Sequence, residues 1–565
     1  MSQRRFKIII WLLFLLMLGQ SGVWVVGRVA WLVASFQQGA DPASALKLPP
    51  ILPPEATTAI QWLPDDADTG RVMEDFTRQQ LTSDYGRAWL QWNTSLKIGR
   101  PYNLRTSFSG PALHYLTTSI SASANMQIDQ IDTAHRLQLH FYAADGSIVA
   151  LTDTQAEVYQ LIYDVDGKLV SAQWLYARYE LVMLLQDGTW RIRHWVRHEL
   201  SVPLEPTYQP KPQFVQSQQH DLQFEQRPFI ARGVNYYPSA TPWLHFWPAY
   251  QPQQTTIDLG LIQQLNLNSV RIFIPFAQFT EPYSTSLYLR SVTDFLDQAE
   301  QANIKVIVTL FDFLGDYQLA RWQQTDSYLT TVVTSLRDHP AIMAWDVKNE
   351  PDRDYATASQ GVVEAWLTHT IRQLRRLDPH HLITIGWSTP AAAERLSQAV
   401  DLVSFHYYAA AEQLPAAYQR LKQIVGDKPL LLTESGLSTW NSPFFPHGHD
   451  QREQAAYVIN VSQQAESHNG FLIWTLFDIP DVPSTIAGFW PWQRGPQMHL
   501  GLYTADYEPK VIGNVLRGLE PVPVVRWWEA WRKPFRITVI GISMLGIIGG
   551  WRTYSRRQRK KRRTG

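Results

Sequence analysis

The chain contains no cysteine. That excludes disulfides, thiol nucleophiles and cysteine metal sites together, and leaves packing to hold the fold. It also lacks an excess of one charge: 50 Lys and Arg balance 50 Asp and Glu, so no overall basic field recommends nucleic acid as a partner. No glycine-rich phosphate loop follows an early strand, which removes the main signature of a dinucleotide-binding open sheet. No run of His, Asp or Glu has metal-ligand spacing, so neither a metal nor another cofactor is expected. What the chain does carry is rings, with 23 Trp, 24 Tyr and 23 Phe. Flat rings suit the apolar faces of sugars, but equally suit large cores and membrane interfaces. At 565 residues the chain is too long for one ordinary core, so two or more domains are expected.

Both ends are apolar beside basic clusters. Residues 1–7 hold Arg4, Arg5 and Lys7, and 8–27 follow as a largely apolar stretch. A second apolar stretch, 535–551, runs into the strongly basic tail 552–565. About 20 apolar residues cross a bilayer, and positive flanks stay in the cytoplasm. These ends therefore predict two transmembrane helices, a cell-membrane location with lipid bilayer as a partner, and an extracytoplasmic position for everything between. A cleaved signal peptide is the competing reading of the first stretch.

Residues 40–64 are rich in Pro and Ala and predict an extended linker. From 65 to 203, helical spacing around Val72 to Leu90 gives way to alternating runs, Tyr102 to Phe108, Ile128 to Tyr142, Glu157 to Tyr163, Leu169 to Leu185 and Trp190 to His198. Asp145-Gly, Asp166-Gly and Asp187-Gly mark turns between them. A helix followed by a curved antiparallel sheet is the economical reading. The segment resembles the nuclear-transport-factor-like, or ketosteroid-isomerase-like, cone-shaped α+β fold. Since no His or carboxylate in it stands isolated in an apolar run, the expectation is a structural or interaction role, with an oligomer or a protein partner formed through this domain.

Beyond Pro203 short β-branched runs alternate with helical spacing, the pattern of repeated βα units. The predicted strands are Ile230 to Tyr236, Ser269 to Ile274, Lys305 to Leu310, Ile342 to Val347, Leu382 to Gly386, Leu402 to His406, Pro429 to Thr433 and Phe471 to Leu476. Eight such units over 228–518 predict an α/β fold, a (β/α)8 TIM barrel, with catalytic groups at the carboxyl ends of the strands.

Two glutamates fall at such ends: Glu350 in Lys348-Asn-Glu-Pro351 after the fourth strand, and Glu434 in Thr433-Glu-Ser-Gly436 after the seventh. Facing carboxyl groups at one barrel mouth are what a glycosidase needs. The ordered set resembles glycoside hydrolase clan A, and within it the cellulase-like family 5. The resemblance implies Glu350 as acid/base and Glu434 as nucleophile of a retaining hydrolase or transglycosylase acting on a polysaccharide or glycan. It also implies substrate-site roles for Asn349, Arg271, His406, Tyr408, Trp474 and Asn235. Arg271 and the Tyr408 hydroxyl are expected to lower Glu434, and the charge of Glu434 to raise Glu350.

Asp312, Asp346 and Asp478, also near strand ends, are expected to act behind the reacting groups. Trp243, Phe246, Trp247, Trp440, Phe489, Trp490 and Trp492 are candidate sugar platforms, and Ile479 to His499 a candidate lid. The rival reading is a catalytically silent carbohydrate-binding or scaffold protein.

Overall fold

The structure is a computed structural model that describes residues 59–122, 126–201, 206–441, 448–524, 538–539 and 541–544. The chain divides into two compact units between residues 202 and 203. The segments 1–7, 8–27 and 552–565, and nearly all of the linker and of 535–551, lie outside the described residues. Among the described residues no helix is long and apolar enough to cross a membrane.

The first unit opens with β1 (Ile60–Trp62), which pairs parallel to β2 (Gln127–Tyr142). The unit thus begins five residues before the predicted boundary, inside the stretch read as linker. Helix α1 (Asp75–Ile98) is the predicted one, extended by two turns and closed by Gly99 in the left-handed region. The predicted run Tyr102 to Phe108 is not a strand: Leu104–Ser107 forms one helical turn, α2. An unpredicted helix, α3 (Gly110–Ala122), follows. Its buried residues Ala112, Leu116 and Ile120 recur every four positions and Pro111 stands in its first turn, which fits helix rather than strand.

Then β2, β3 (Ile148–Tyr163), β4 (Leu169–Gln186) and β5 (Thr189–Glu199) form a long antiparallel sheet in sequence order. The tightest turn is Asp187-Gly188, where both residues have positive φ, as a two-residue hairpin with right-handed strand twist requires. Helix α1 packs on the sheet through Tyr85, Ala88 and Trp89.

In the second unit a small antiparallel sheet, β6 (Gln216–Gln218), β7 (Asp221–Phe224) and β8 (Arg227–Pro228), precedes a closed parallel barrel. The staves are β9 (Ala231–Asn235), β10 (Ser269–Pro275), β11 (Lys305–Asp312), β12 (Ile342–Asn349), β13 (Leu382–Trp387), β14 (Val403–Tyr407), β15 (Leu430–Ser435) and β16 (Gly470–Ile473). Strand β16 closes on β9, so the eight predicted strands are the eight observed. The bottom of the barrel is plugged by Ile307, Met343, Ala344, Leu382, Leu431 and Leu472, capped by Val215 and Leu222 of the small sheet. With that end filled, the cavity is left to the other.

Candidate active site

Glu350 follows β12 and Glu434 sits within β15, both at the carboxyl end of the barrel. They line one pocket of about 390 Å³ with Tyr237, Trp243, Phe273, Asp312, Phe313, Asn349, Arg353, Tyr408, Trp474, Ile486 and Gln497. An oxygen of each glutamate and a nitrogen of His406 lie within 4.8 Å of one another.

The backbone around this pocket is held in unusual conformations. Glu350 has φ 45° and ψ 51°, and Trp243 and Phe313 each have φ 59°. A non-glycine residue there costs about 1–3 kcal/mol and persists only where surrounding structure imposes it. All three residues line the same cavity.

Arg271 is fully buried and is shared among four partners. Its Nε and Nη2 donate to Asp346 Oδ2 at 3.0 and 2.6 Å, Nη1 to Asn235 Oδ1 at 3.0 Å, and Nη2 also to Asn349 Oδ1 at 2.8 Å. The contact to Glu434 Oε2 is the longest, 3.4 Å. Asp346 accepts further bonds from Thr309 and the Gly386 amide, at 2.8 and 2.7 Å. Asn235 is fully buried, donates to the Thr433 and Ile473 carbonyls and accepts from Arg271. Every one of its contacts positions the barrel wall. Neither it, Arg271 nor His406 is among the pocket-lining residues, whereas Asn349, Tyr408 and Trp474 are.

The ionisation order also departs from expectation. Burial pushes Glu434 above the ordinary carboxylate range; the charges of His406 and Arg271 and the Tyr408 hydroxyl, at 2.5 Å, oppose it without winning. Arg271 helps little because Asp346 already holds its charge. Burial would raise Glu350 too, but His406 Nδ1 at 3.0 Å and the charges of His406, Arg353 and Arg271 leave it below the ordinary value. The surroundings thus favour ionisation of Glu350 more than that of Glu434. Tyr408 itself is driven well above its usual value by burial and by the charge of Glu434, so it remains a donor.

Asp312 was expected to stand behind the site but lines it. Burial raises its carboxyl to about 6, against the charges of Lys348 and Arg271 and a 3.2 Å bond from Tyr237. Asp478 meets Lys510 at 2.6 Å and the Gly501 amide at 2.8 Å, a structural role. Among the aromatic candidates Trp243 lines the pocket, while Phe246 and Trp247 are buried packing. Phe489, Trp490 and Trp492 are exposed, and the last two stack at 4.9 Å and 8°. The segment read as a lid reaches the pocket through Ile486 and Gln497. Tyr237, Phe273, Phe313 and Arg353 went unrecognised in the sequence; only Arg353, one turn beyond Glu350, carried a signal.

Glu350, His406 and Glu434 also have a spacing that could hold a cation. The carboxylate oxygens, however, already accept from Arg353, Arg271 and Tyr408, which supply the positive charge and the protons a metal would replace.

Residues 326–408, which contain Asn349, Glu350, His406 and Tyr408, match the family profile described as GH family 5 beta-mannosidase-like. Over this stretch the second unit is similar to glycoside hydrolases. The chain is similar to the probable mannan endo-1,4-beta-mannosidase C of Aspergillus terreus (strain NIH 2624 / FGSC A1156), 39% identical over 69 residues, 10% of this chain and 17% of that relative. It is 22% identical over 339 residues to the putative mannan endo-1,4-beta-mannosidase 9 of Oryza sativa subsp. japonica, covering 46% of this chain and 81% of the relative. Among solved structures, the exo-beta-1,4-mannosidase Op5Man5 from Opitutaceae bacterium strain TAV5 aligns with a TM-score of 0.43 at 19% identity over 52% of this chain and 59% of its own. The matched stretch is thus less than a fifth of the first relative and most of the second.

Proposed function

We propose that this protein is a retaining β-glycosidase or glycanase that cleaves, or transfers from, a β-mannoside-containing polysaccharide or glycan by double displacement. The observation that carries the reading is the approach of Glu350 and Glu434 to within 4.8 Å across one pocket. Retaining enzymes hold their carboxyls about 5–5.5 Å apart, whereas inverting ones leave about 6.5–9.5 Å for a water. Glu434 attacks the anomeric carbon and Glu350 protonates the departing oxygen; the glycosyl ester then neutralises Glu434, and Glu350 returns as base to activate water. Asn349, whose Oδ1 is committed to Arg271, has its amide donors for the sugar 2-hydroxyl. Trp474 and Trp243, with ring centroids 5.8 Å apart, give the pocket an aromatic wall.

The choice of mannoside rests on the names of the relatives. The location belongs to the same proposal: spans at 8–27 and 535–551 hold the hydrolase domain on the extracytoplasmic face of the cell membrane, and the first unit serves as a structural or interaction domain.

The test is hydrolysis of β-mannans, β-glucans and aryl β-glycosides by the full chain. Glu434→Gln is expected to lose at least about a thousandfold with every substrate, and Glu350→Ala to lose most with poor leaving groups and least with activated aryl glycosides. Tight glycan binding without product over long incubation would establish the silent-binder reading instead.

A further inference from the structure

Among the described residues that line the pocket Arg353 is the one cation, beside the acids Asp312, Glu350 and Glu434. Its Nε lies 2.6 Å from Glu350 Oε2, and its side chain is 67% exposed against 14% for Glu350. The acids beside it in sequence are engaged elsewhere: Asp352 with Ser388, and Asp354 with Lys348 at 3.4 Å. The guanidinium therefore rests on the acid/base carboxylate and on no other acid of its loop.

That contact opposes the first chemical step. An acid/base residue must begin protonated, and a cation at 2.6 Å favours its ionised form. The remaining charged and titratable neighbours are His406 from β14, Glu434 from β15 and Arg271 from β10, all with buried side chains, and Tyr408, whose hydroxyl is held by Glu434. Arg353 alone is on an exposed tether. Because the guanidinium end of the pair is open to solvent, a competing anion can reach and exchange it.

From this arrangement we infer that Arg353 is a specificity-determining and positioning residue that takes up a carboxylate or other anionic substituent on the leaving-group side of the glycan, and in doing so releases Glu350 to be protonated. The inference rests on the glycosidase reading. It assigns the anion to the leaving-group side because Glu350 marks that side. Asp312, deep in the pocket, would repel a negative charge on the sugar undergoing attack. Guanidinium and carboxylate match as a two-point contact, which a neutral sugar cannot offer. Exchange leaves Glu350 facing Glu434 with less positive charge nearby, so the proton held by Glu434 passes to Glu350, and Glu434 is left ionised for attack.

The experiment uses the full chain. Turnover of an aryl β-glycoside is measured first, and its absence would overturn the glycosidase reading itself. Next, kcat/KM is compared for a neutral β-linked oligosaccharide and for the same oligosaccharide carrying a uronic acid on the leaving-group side. Wild type is expected to prefer the acidic substrate by about tenfold, falling as salt rises. Arg353→Gln is expected to abolish the preference and to move the alkaline limb of kcat/KM for the neutral substrate to higher pH, because Glu350 then keeps its proton longer. Arg353→Lys, which keeps the charge, is expected to retain part of the preference. An aryl-glycoside-active wild type with no acidic preference, or an Arg353→Gln variant whose substrate ratio and alkaline limb match wild type, would overturn the inference while leaving the glycosidase reading standing.

Discussion

Arg271 gives two guanidinium protons to a single oxygen of Asp346, at 3.0 and 2.6 Å, and stands 3.4 Å from Glu434. Burial raises Glu434 above the usual range, and an arginine whose charge is already held by a second carboxylate does not bring it back. Replacing Asp346 by Asn would leave Arg271's charge to Glu434. The expected result is an acid limb of kcat/KM displaced to lower pH, with a stability loss of about 3–5 kcal/mol because a buried pair is broken. A pH–rate profile with a denaturation curve checks both.

Gly386 makes that arrangement possible. A Cβ there would fall 2.7 Å from Arg271 Nη2 and 3.0 Å from Asp346 Oδ2, neither of which can retreat within the barrel. Gly386→Ala is expected to cost about 1–3 kcal/mol and to depress kcat more than KM, since it displaces the wall that aims Glu434 and Asn349. Thermal unfolding and steady-state kinetics measure these, and an Ala variant with wild-type kcat would contradict the account.

Asp312 separates stability from activity. Its carboxyl is raised to about 6 by burial, so the stability of its neutral form is present below about pH 4 and lost as pH rises through about 6. Asp312→Asn is therefore expected to gain up to about 3 kcal/mol at pH 8 relative to wild type, with little gain at pH 4. Because Asp312 lines the pocket, the same variant should lose affinity for sugar. Unfolding at the two pH values, beside glycan titration, reads out each part.

The first unit holds a buried charged group that sequence reading passed over. His135, flanked by Asp153 at 2.6 Å and Asp132 at 3.1 Å, is lowered by burial but raised more by these carboxylates, to about 9. Its contribution is fully present below about pH 6.5 and is lost as pH rises through about 9. Hydrogen exchange in β2 and β3 is expected to quicken over that window in wild type. His135→Ala should quicken it at every pH, by breaking the pair at about 3–5 kcal/mol.

Trp490 and Trp492 stack face to face while remaining 58% and 51% exposed. An exposed ring pair on the segment that carries Ile486 and Gln497 into the pocket has the flat apolar faces that a distant sugar unit would stack on. Trp490→Ala is expected to raise KM for long oligosaccharides several-fold and to leave small aryl glycosides unaffected, as chain-length kinetics would show.

The barrel was legible because its staves are short, apolar and evenly spaced, and because one face of each helix must cover them. The first unit was less so. Residues 60–62 form a strand only by pairing with His135 to Leu137, a partner more than 70 positions away. The run from Tyr102 to Phe108 alternates like a strand, yet Leu104–Ser107 turns as helix before α3. Alternation over so few residues is overridden by tertiary packing.

The linear order of residues by itself determined that a barrel forms and that Glu350 and Glu434 stand at its mouth, since a strand's carboxyl end is fixed by chain direction alone. It could not decide how burial and neighbouring charge treat the two glutamates, that Asn235 accepts from Arg271, that Asp312 opens onto the pocket, or that Arg353 folds back on Glu350. Those depend on through-space distance and on burial. Both terms are set only when staves far apart in the chain close into one wall.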